Sequence, residues 1–170
     1  VLYRRYFEGR ADIVAPEPLP ELSTRRLLSM TWLDGRGLLA FKSAPLETRN
    51  RIARLLFEAW WGPMTHLGVI HGDPHLGNYT FAPMHEGGEP RLNLLDFGCV
   101  RIFPPKFVGG VVRLYRALLE DDRAAQREAY RTWGFANLND DLMEALNVWA
   151  RFIYGPLLDD RVRSVADGVA

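Results

Sequence analysis

The sequence predicts a mixed α+β fold in which amphipathic helices predominate around one small β-hairpin. Apolar residues recur at helical spacing from residue 46 to residue 67 and again in three segments after residue 104. Two short extended runs, 78–81 and 91–95, flank a glycine-containing turn. The helices therefore predict the bulk of the domain, and the extended runs predict the hairpin.

The helices have recognisable ends. The longest spans residues 46–67, and Pro63 is expected to bend it or end it early. Three further helices are predicted to open at Pro104–Pro105, to run from about Asp122 to Trp133, and to begin at an Asn139 cap and end at Gly155–Pro156.

The first 45 residues have a different pattern. Residues 1–7 indicate the end of a helix, and residues 16–20, with three prolines, indicate an extended edge segment. Residues 27–32 are predicted to be its partner strand. We therefore divide the chain into segments 1–45 and 46–158 and a tail, 159–170.

Composition excludes several classes of protein. The 21 basic and 21 acidic residues cancel, whereas nucleic-acid binding through a basic face usually needs a positive excess. The single cysteine excludes an internal disulfide framework and favours a reducing, cytoplasmic location. No run approaches the roughly 18 apolar residues of a membrane span. With 48% hydrophobic residues, the chain can bury a substantial core.

Two motifs carry the chemistry. HGDPHLGN covers residues 71–78, and LLDFG covers residues 94–98. Phosphoryl transfer needs a base that orients the attacking hydroxyl and oxygen ligands that hold magnesium. Asp73 is the candidate base, whereas Asn78 and Asp96 offer the hard oxygen donors that magnesium prefers. The hairpin between the motifs is expected to bring Asp96 next to Asn78.

HGDPHLGN and LLDFG resemble the catalytic loop and the metal-binding loop of the protein-kinase-like superfamily, and their wording is closest to the UbiB/AarF family of atypical kinases. LSTRRLLSM at 22–30, followed by LDG at 33–35, and CVR at 99–101 also fit that family. The family usually has proline where this chain has Leu76, and an acidic residue where it has Thr31.

The resemblance implies a role for each matching residue. Asp73 matches the catalytic base, Asn78 and Asp96 match the magnesium and nucleotide ligands, and His71 matches the histidine that supports the DFG turn. Residues 31–33 match the hinge that reads adenine through its backbone, which makes Met30, Thr31 and Leu33 candidate nucleotide-binding residues. His75 either contacts a phosphate or braces the loop.

The resemblance also implies a protein-kinase-like fold represented mostly by its helical C-terminal lobe. Kinases hold the α- and β-phosphates with a lysine on an N-terminal-lobe strand. The two lysines, Lys42 and Lys106, both follow the hinge, and no GxGxxG motif is present. We therefore expect the chain to belong to a longer protein, with residues 1–45 as the remnant of its N-terminal lobe and hinge.

The implied activity is ATP- and magnesium-dependent phosphoryl transfer or ATP hydrolysis by the full-length parent, with the fragment alone inactive. The family is associated with ubiquinone and isoprenoid-lipid metabolism at membranes, so membrane association of the parent is expected. Since no activation segment follows the DFG motif, we expect a small-molecule or lipid acceptor rather than a protein, and no nucleic-acid partner.

Three alternatives remain open. Small-molecule phosphotransferases of the aminoglycoside or choline kinase type have catalytic loops that also resemble HGDxHxGN. A metallohydrolase would use His71, Asp73 and His75 as zinc ligands. A non-catalytic kinase-like module would bind a partner without turnover.

Overall fold

The computed structural model describes residues 2–162, which fall into two compact units that divide after Phe103. This division lies inside the predicted segment 46–158. Most of the predicted tail, residues 163–170, lies outside the described residues, as does Val1. The predicted segment boundaries at 45 and 158 stay predictions.

The first unit contains two α-helices, three short 3₁₀ helices and six short strands within its described residues. The α-helices are α1 (Leu2–Tyr6) and α2 (Leu46–Leu67). The strands are β1 (Ile13–Val14), β2 (Arg36–Gly37), β3 (Val69–Ile70), β4 (Tyr79–Pro83), β5 (Pro90–Leu94) and β6 (Arg101–Ile102). One sheet has the order β1-β5-β4-β2, in which β1 and β5 are parallel, and β3 pairs with β6 in an antiparallel ribbon.

Helix α2 has the predicted bounds, although Pro63 does not end it. The helix continues to Leu67 and stops where Gly68 adopts a left-handed φ of 67°, the conformation that favours glycine at a helix end. Pro63 is itself buried, with Ile52, Leu55, Ala59 and Met64. Burial of this apolar face offsets the hydrogen bond that proline removes.

The predicted hairpin is formed by β4 and β5. Their register pairs Tyr79 with Leu94 and Pro83 with Pro90. Alternate side chains enter a core that also takes residues from α1, β1 and α2, as expected for a half-buried strand pair. The turn at 84–89 closes the hairpin at the end away from both motifs.

The predicted strand pair before the hinge is reduced to one bridge. Pro18 pairs with Met30, and the chain between them turns back at a second bridge from Thr24 to Leu27. Prolines 16, 18 and 20 donate no backbone hydrogen bonds, so a continuous ladder does not form here.

The second unit contains three helices within residues 104–162: α3 (Pro105–Leu119), α4 (Arg123–Thr132) and α5 (Asp140–Leu158). Asp122 and Asn139 cap the last two helices through their side chains. α5 passes the predicted end at Gly155–Pro156, because Leu157 and Leu158 pack on the core of this unit. The predicted α+β class is confirmed.

A buried polar chain crosses the second unit. The hydroxyl of Tyr130 donates to Asn147 Oδ1 at 2.9 Å, and Asn147 Nδ2 donates to Gln126 Oε1 at 2.8 Å. Gln126 Nε2 in turn donates to the carbonyl of Ala117 at 3.1 Å.

Among residues 2–162, no helix is long and apolar enough to cross a membrane.

Candidate active site

The HGDPHLGN loop is held at both ends. It follows β3 directly, and its last residue, Asn78, precedes β4. The β3–β6 ribbon pairs Ile70 with Arg101, so the residue before the loop lies beside the segment that follows the DFG motif. The first motif therefore starts beside strand β6, which follows the second motif.

Asp73 and Asn78 are in direct contact. Asn78 Nδ2 donates to Asp73 Oδ2 at 2.9 Å and to the Asp73 carbonyl at 3.3 Å. The backbone N–H of His75 donates to Asp73 Oδ1 at 3.2 Å. These bonds orient the carboxylate, and they turn the NH₂ group of Asn78 inward, so that Oδ1 is the atom available to a cation.

Asp96 is brought to the same end of the hairpin. The N–H of Leu95 donates to the carbonyl of Asn78 at 3.0 Å, which places Asp96 one residue beyond this pairing. Asp96 is exposed, and its Oδ1 accepts the N–H of Gly98 at 2.7 Å. These hydrogen bonds join Asp73 to Asn78 and place Leu95 beside Asn78, and the clustering of Asp73, Asn78 and Asp96 in one site stays a prediction.

This donor set suits magnesium. One carboxylate and one amide oxygen are hard ligands of the kind that Mg²⁺ binds together with substrate phosphates. The residues that would hold the ion are Asn78 and Asp96.

The same geometry does not favour the zinc alternative. Nε2 of His71 is hydrogen-bonded to the carbonyl oxygen of Asp96, and the ring is only 3% exposed. Within residues 2–162, no three His, Cys, Asp or Glu side chains are placed to hold a metal together.

His71 is packed among aromatic rings. Tyr3, Tyr79 and Phe97 surround it at centroid distances of 6.1, 5.7 and 5.7 Å. Tyr3 also lies 5.2 Å from Phe97 of the DFG motif. The sequence reasoning missed Tyr3, because it belongs to a short helix far along the chain from both motifs and carries no local signal.

Burial shifts the ionisation of two of these rings. Burial raises the pKa of Tyr3 to about 12, and the neighbouring Tyr79 adds to the effect. Burial also raises the pKa of Tyr79, helped by the negative charge of Asp73. Both phenols therefore keep their protons at neutral pH, and the hydroxyl of Tyr79 donates to the carbonyl of Asp73 at 3.4 Å.

The three hinge candidates, Met30, Thr31 and Leu33, differ in how far their backbone is already hydrogen-bonded. The N–H of Thr31 donates to the carbonyl of Glu17 at 2.9 Å, so this group is already occupied. Met30 forms the bridge to Pro18, and Leu33 is half-buried. Adenine recognition by Met30, Thr31 and Leu33 stays a prediction.

Asn93 connects the segment after the hinge to the hairpin. This residue is fully buried, and its Nδ2 donates to the carbonyl of Asp34 at 2.9 Å and to Thr80 Oγ1 at 3.0 Å. A Cβ at Gly35 would come within 2.6 Å of Thr80 Oγ1, so only glycine allows this close approach. The sequence reasoning missed Asn93, whose polar side chain in a strand gave no sign of this contact.

His75 shapes the loop. Its Nδ1 accepts the N–H of Gly77 at 3.1 Å, which caps the short turn at 76–78. A contact from His75 to a phosphate stays a prediction.

Gly72 allows the two motifs to approach each other. A Cβ at this position would lie 2.5 Å from the backbone oxygen of Cys99. We predict that Gly72→Ala lowers the free energy of unfolding by about 1–3 kcal/mol, the usual cost of overpacking. Denaturant unfolding measures this loss. Gly37→Ala is the matched control, since a Cβ there meets nothing within 4 Å, and an equal loss in both variants would contradict the steric argument.

The ABC1 atypical kinase-like domain family matches residues 2–130. The chain is 28% identical over 157 residues to the mitochondrial atypical kinase coq-8 of Caenorhabditis elegans, covering 92% of this chain and 21% of that protein. It is 27% identical over 122 residues to the mitochondrial atypical kinase COQ8B of Danio rerio, covering 72% of this chain and 19% of that protein.

A solved structure has a similar fold. The Rv3197–erythromycin complex from Mycobacterium tuberculosis superposes with a TM-score of 0.61 at 19% identity and covers 95% of this chain and 44% of that chain. The chain thus spans about a fifth of the length of the two curated relatives named above. Because the family match extends over most of its length and includes both motifs, this chain belongs to the ABC1 atypical kinase-like domain family, as the UbiB/AarF resemblance predicted.

Proposed function

We propose that the full-length protein uses ATP and magnesium for phosphoryl transfer or ATP hydrolysis, with Asp73 as the base and with Asn78 and Asp96 as the magnesium ligands. The observation that carries this proposal is the hydrogen-bonded arrangement of Asp73 and Asn78 next to the DFG turn. Family membership supports a kinase-like enzyme.

The roles follow from the contacts. Asp73 is oriented by two side-chain hydrogen bonds and is half-buried, as suits a group that accepts a proton from an attacking hydroxyl. Asp96 is exposed and its turn is braced by Gly98 and His71, as suits a ligand presented to a hydrated cation. Bound magnesium would neutralise the phosphate charge during transfer.

We also propose a small molecule or a lipid as the acceptor, in ubiquinone or isoprenoid-lipid metabolism as the family resemblance implies, and membrane association of the full-length protein. A groove of about 320 Å³ beside the catalytic loop supports an apolar acceptor. Its lining is almost wholly apolar: Leu56, Phe57, Trp60, Pro74, Leu76 and Tyr79. Since Pro74 follows Asp73 directly, an acceptor in this groove would lie next to the proposed base.

The two curated relatives described above are named as mitochondrial proteins, and the compartment of this chain stays a prediction.

To test this proposal, the purified full-length protein is incubated with γ-³²P-ATP and magnesium, with and without extracted lipids. Free phosphate, phosphoprotein and labelled small molecules are then separated and counted. We expect magnesium-dependent release or transfer of label that EDTA abolishes. Label transfer that is unaffected by EDTA, or heat stability that magnesium-ATP does not raise, would contradict the proposal.

We predict that the 170-residue chain by itself binds magnesium-ATP weakly and turns it over negligibly. Its two lysines follow the hinge, and charge contacts to phosphates exposed to water are weakened by solvent. Isothermal titration calorimetry compares the chain with the full-length gene product. Equal affinities would show that residues 1–170 supply the whole nucleotide site.

A further inference from the structure

Two buried polar atoms beside the catalytic loop have no hydrogen-bond partner among residues 2–162. They are the hydroxyl oxygen of Tyr3 and Nδ1 of His71. Both side chains are 3% exposed, and their rings meet edge to face at a centroid distance of 6.1 Å and an angle of 83°. Buried polar groups are nearly always satisfied, and these two exceptions belong to rings that meet edge to face, which points to a shared partner.

The hydrogen-bonding roles of the two atoms are complementary. Nε2 of His71 contacts the carbonyl oxygen of Asp96, which can only accept, so Nε2 carries the proton. In the neutral imidazole, Nδ1 is then an acceptor. The phenol of Tyr3 keeps its proton and can donate.

Tyr79 completes the surroundings of this pair. Its ring lies 5.7 Å from His71, and its hydroxyl donates to the carbonyl of Asp73 at 3.4 Å. The phenolic oxygen keeps a lone pair that can accept. One donor and two acceptors are the partners that a single water needs, and buried waters typically make about three hydrogen bonds.

We propose that Tyr3 is a positioning residue for the metal-binding loop, acting through one buried water on His71. The water accepts a hydrogen bond from the hydroxyl of Tyr3. It donates one hydrogen bond to Nδ1 of His71 and one to the phenolic oxygen of Tyr79. The bond at Nδ1 keeps the proton of His71 on Nε2, where it holds the carbonyl of Asp96. The short N-terminal helix thereby fixes the turn that presents the Asp96 carboxylate.

The test replaces Tyr3 by phenylalanine in the full-length protein, which keeps the ring that packs on Phe97. Tyr6→Phe is the matched control, because Tyr6 lies on the same helix but its hydroxyl bonds to His66, outside the site. Histidine side chains are labelled with ¹⁵N, and the His71→Gln variant assigns the His71 signals.

We expect His71 to carry its proton on Nε2 in the wild type and in Tyr6→Phe, with Nδ1 at the chemical shift of a hydrogen-bonded acceptor. In Tyr3→Phe, the Nδ1 signal should move towards the shift of a free imine nitrogen. The magnesium concentration for half-maximal ATP turnover should rise about threefold to tenfold, the worth of one hydrogen bond. This last effect assumes the proposed function.

An unchanged Nδ1 signal in Tyr3→Phe, or a wild-type proton on Nδ1, would overturn the inference. If no variant bound magnesium-ATP, the proposed function would fail, while the NMR signals would still decide the role of Tyr3. A protein in which Tyr3→Phe lowers only thermal stability, with the His71 signals unmoved, would assign Tyr3 a packing role.

Discussion

Asp96→Asn in the full-length protein is expected to weaken metal-dependent nucleotide binding and to abolish turnover together. A magnesium ligand contributes to the ground state as well as to the transition state, so both quantities depend on its charge. Loss of several kcal/mol of charge stabilisation corresponds to at least about a 10³-fold fall in kcat. Magnesium titrations monitored by nucleotide binding, together with steady-state kinetics, measure both effects.

Asparagine is a matched replacement at this position. Its side-chain oxygen can still accept the N–H of Gly98, which Asp96 Oδ1 accepts at 2.7 Å, so the turn keeps its shape. An Asp96→Asn variant with wild-type magnesium dependence would remove Asp96 from the metal site.

Asp73→Asn is expected to leave nucleotide affinity within about threefold of the wild type while lowering kcat by roughly 10² to 10⁴, the usual worth of a positioned general base. Asp73 accepts hydrogen bonds from His75 and Asn78, and neither bond requires the nucleotide. Calorimetry for affinity and single-turnover kinetics for the chemical step separate the two effects.

The new side chain can keep its oxygen on the NH₂ group of Asn78, but its own NH₂ group would then face the N–H of His75. Asp73→Ala avoids this clash and serves as the control, with the same expected loss of kcat. If Asp73→Asn and Asp96→Asn instead lost bound zinc in parallel, and magnesium-ATP protected neither against heat, the metallohydrolase alternative would replace the phosphoryl-transfer proposal.

The elements that the sequence predicted well are those with local end signals. Helix α2 has its predicted bounds because Pro45 precedes it and Gly68 follows it, and both residues act through their own backbone. A proline inside a helical pattern predicted the end of a helix less well than expected. Pro63 is buried with the apolar face of α2, and Pro156 is followed by Leu157 and Leu158, which pack on the core of the second unit. Both effects depend on packing that periodicity alone does not specify.

In the candidate site too, contacts within one motif were easier to predict than contacts between distant parts of the chain. The hydrogen bond from Asn78 to Asp73 joins residues of one motif, whose spacing predicted that they belong to one site. The contacts of Tyr3 with His71 and of Asn93 with Asp34 join distant parts of the chain. No local pattern encodes such pairs, because many buried aromatic and polar residues have the same character in the sequence.

The β3–β6 ribbon closes residues 71–100 into a loop whose two ends are bonded to each other. Val69 pairs with Ile102, and the N–H of Phe103 donates to the carbonyl of Gly68 at 2.7 Å. The proposed base and both proposed metal ligands therefore belong to one closed loop. Local opening of this ribbon would free the chain on the outer side of Asp73 and of Asp96 together, while the β4–β5 pairing still holds Asn78 beside Leu95.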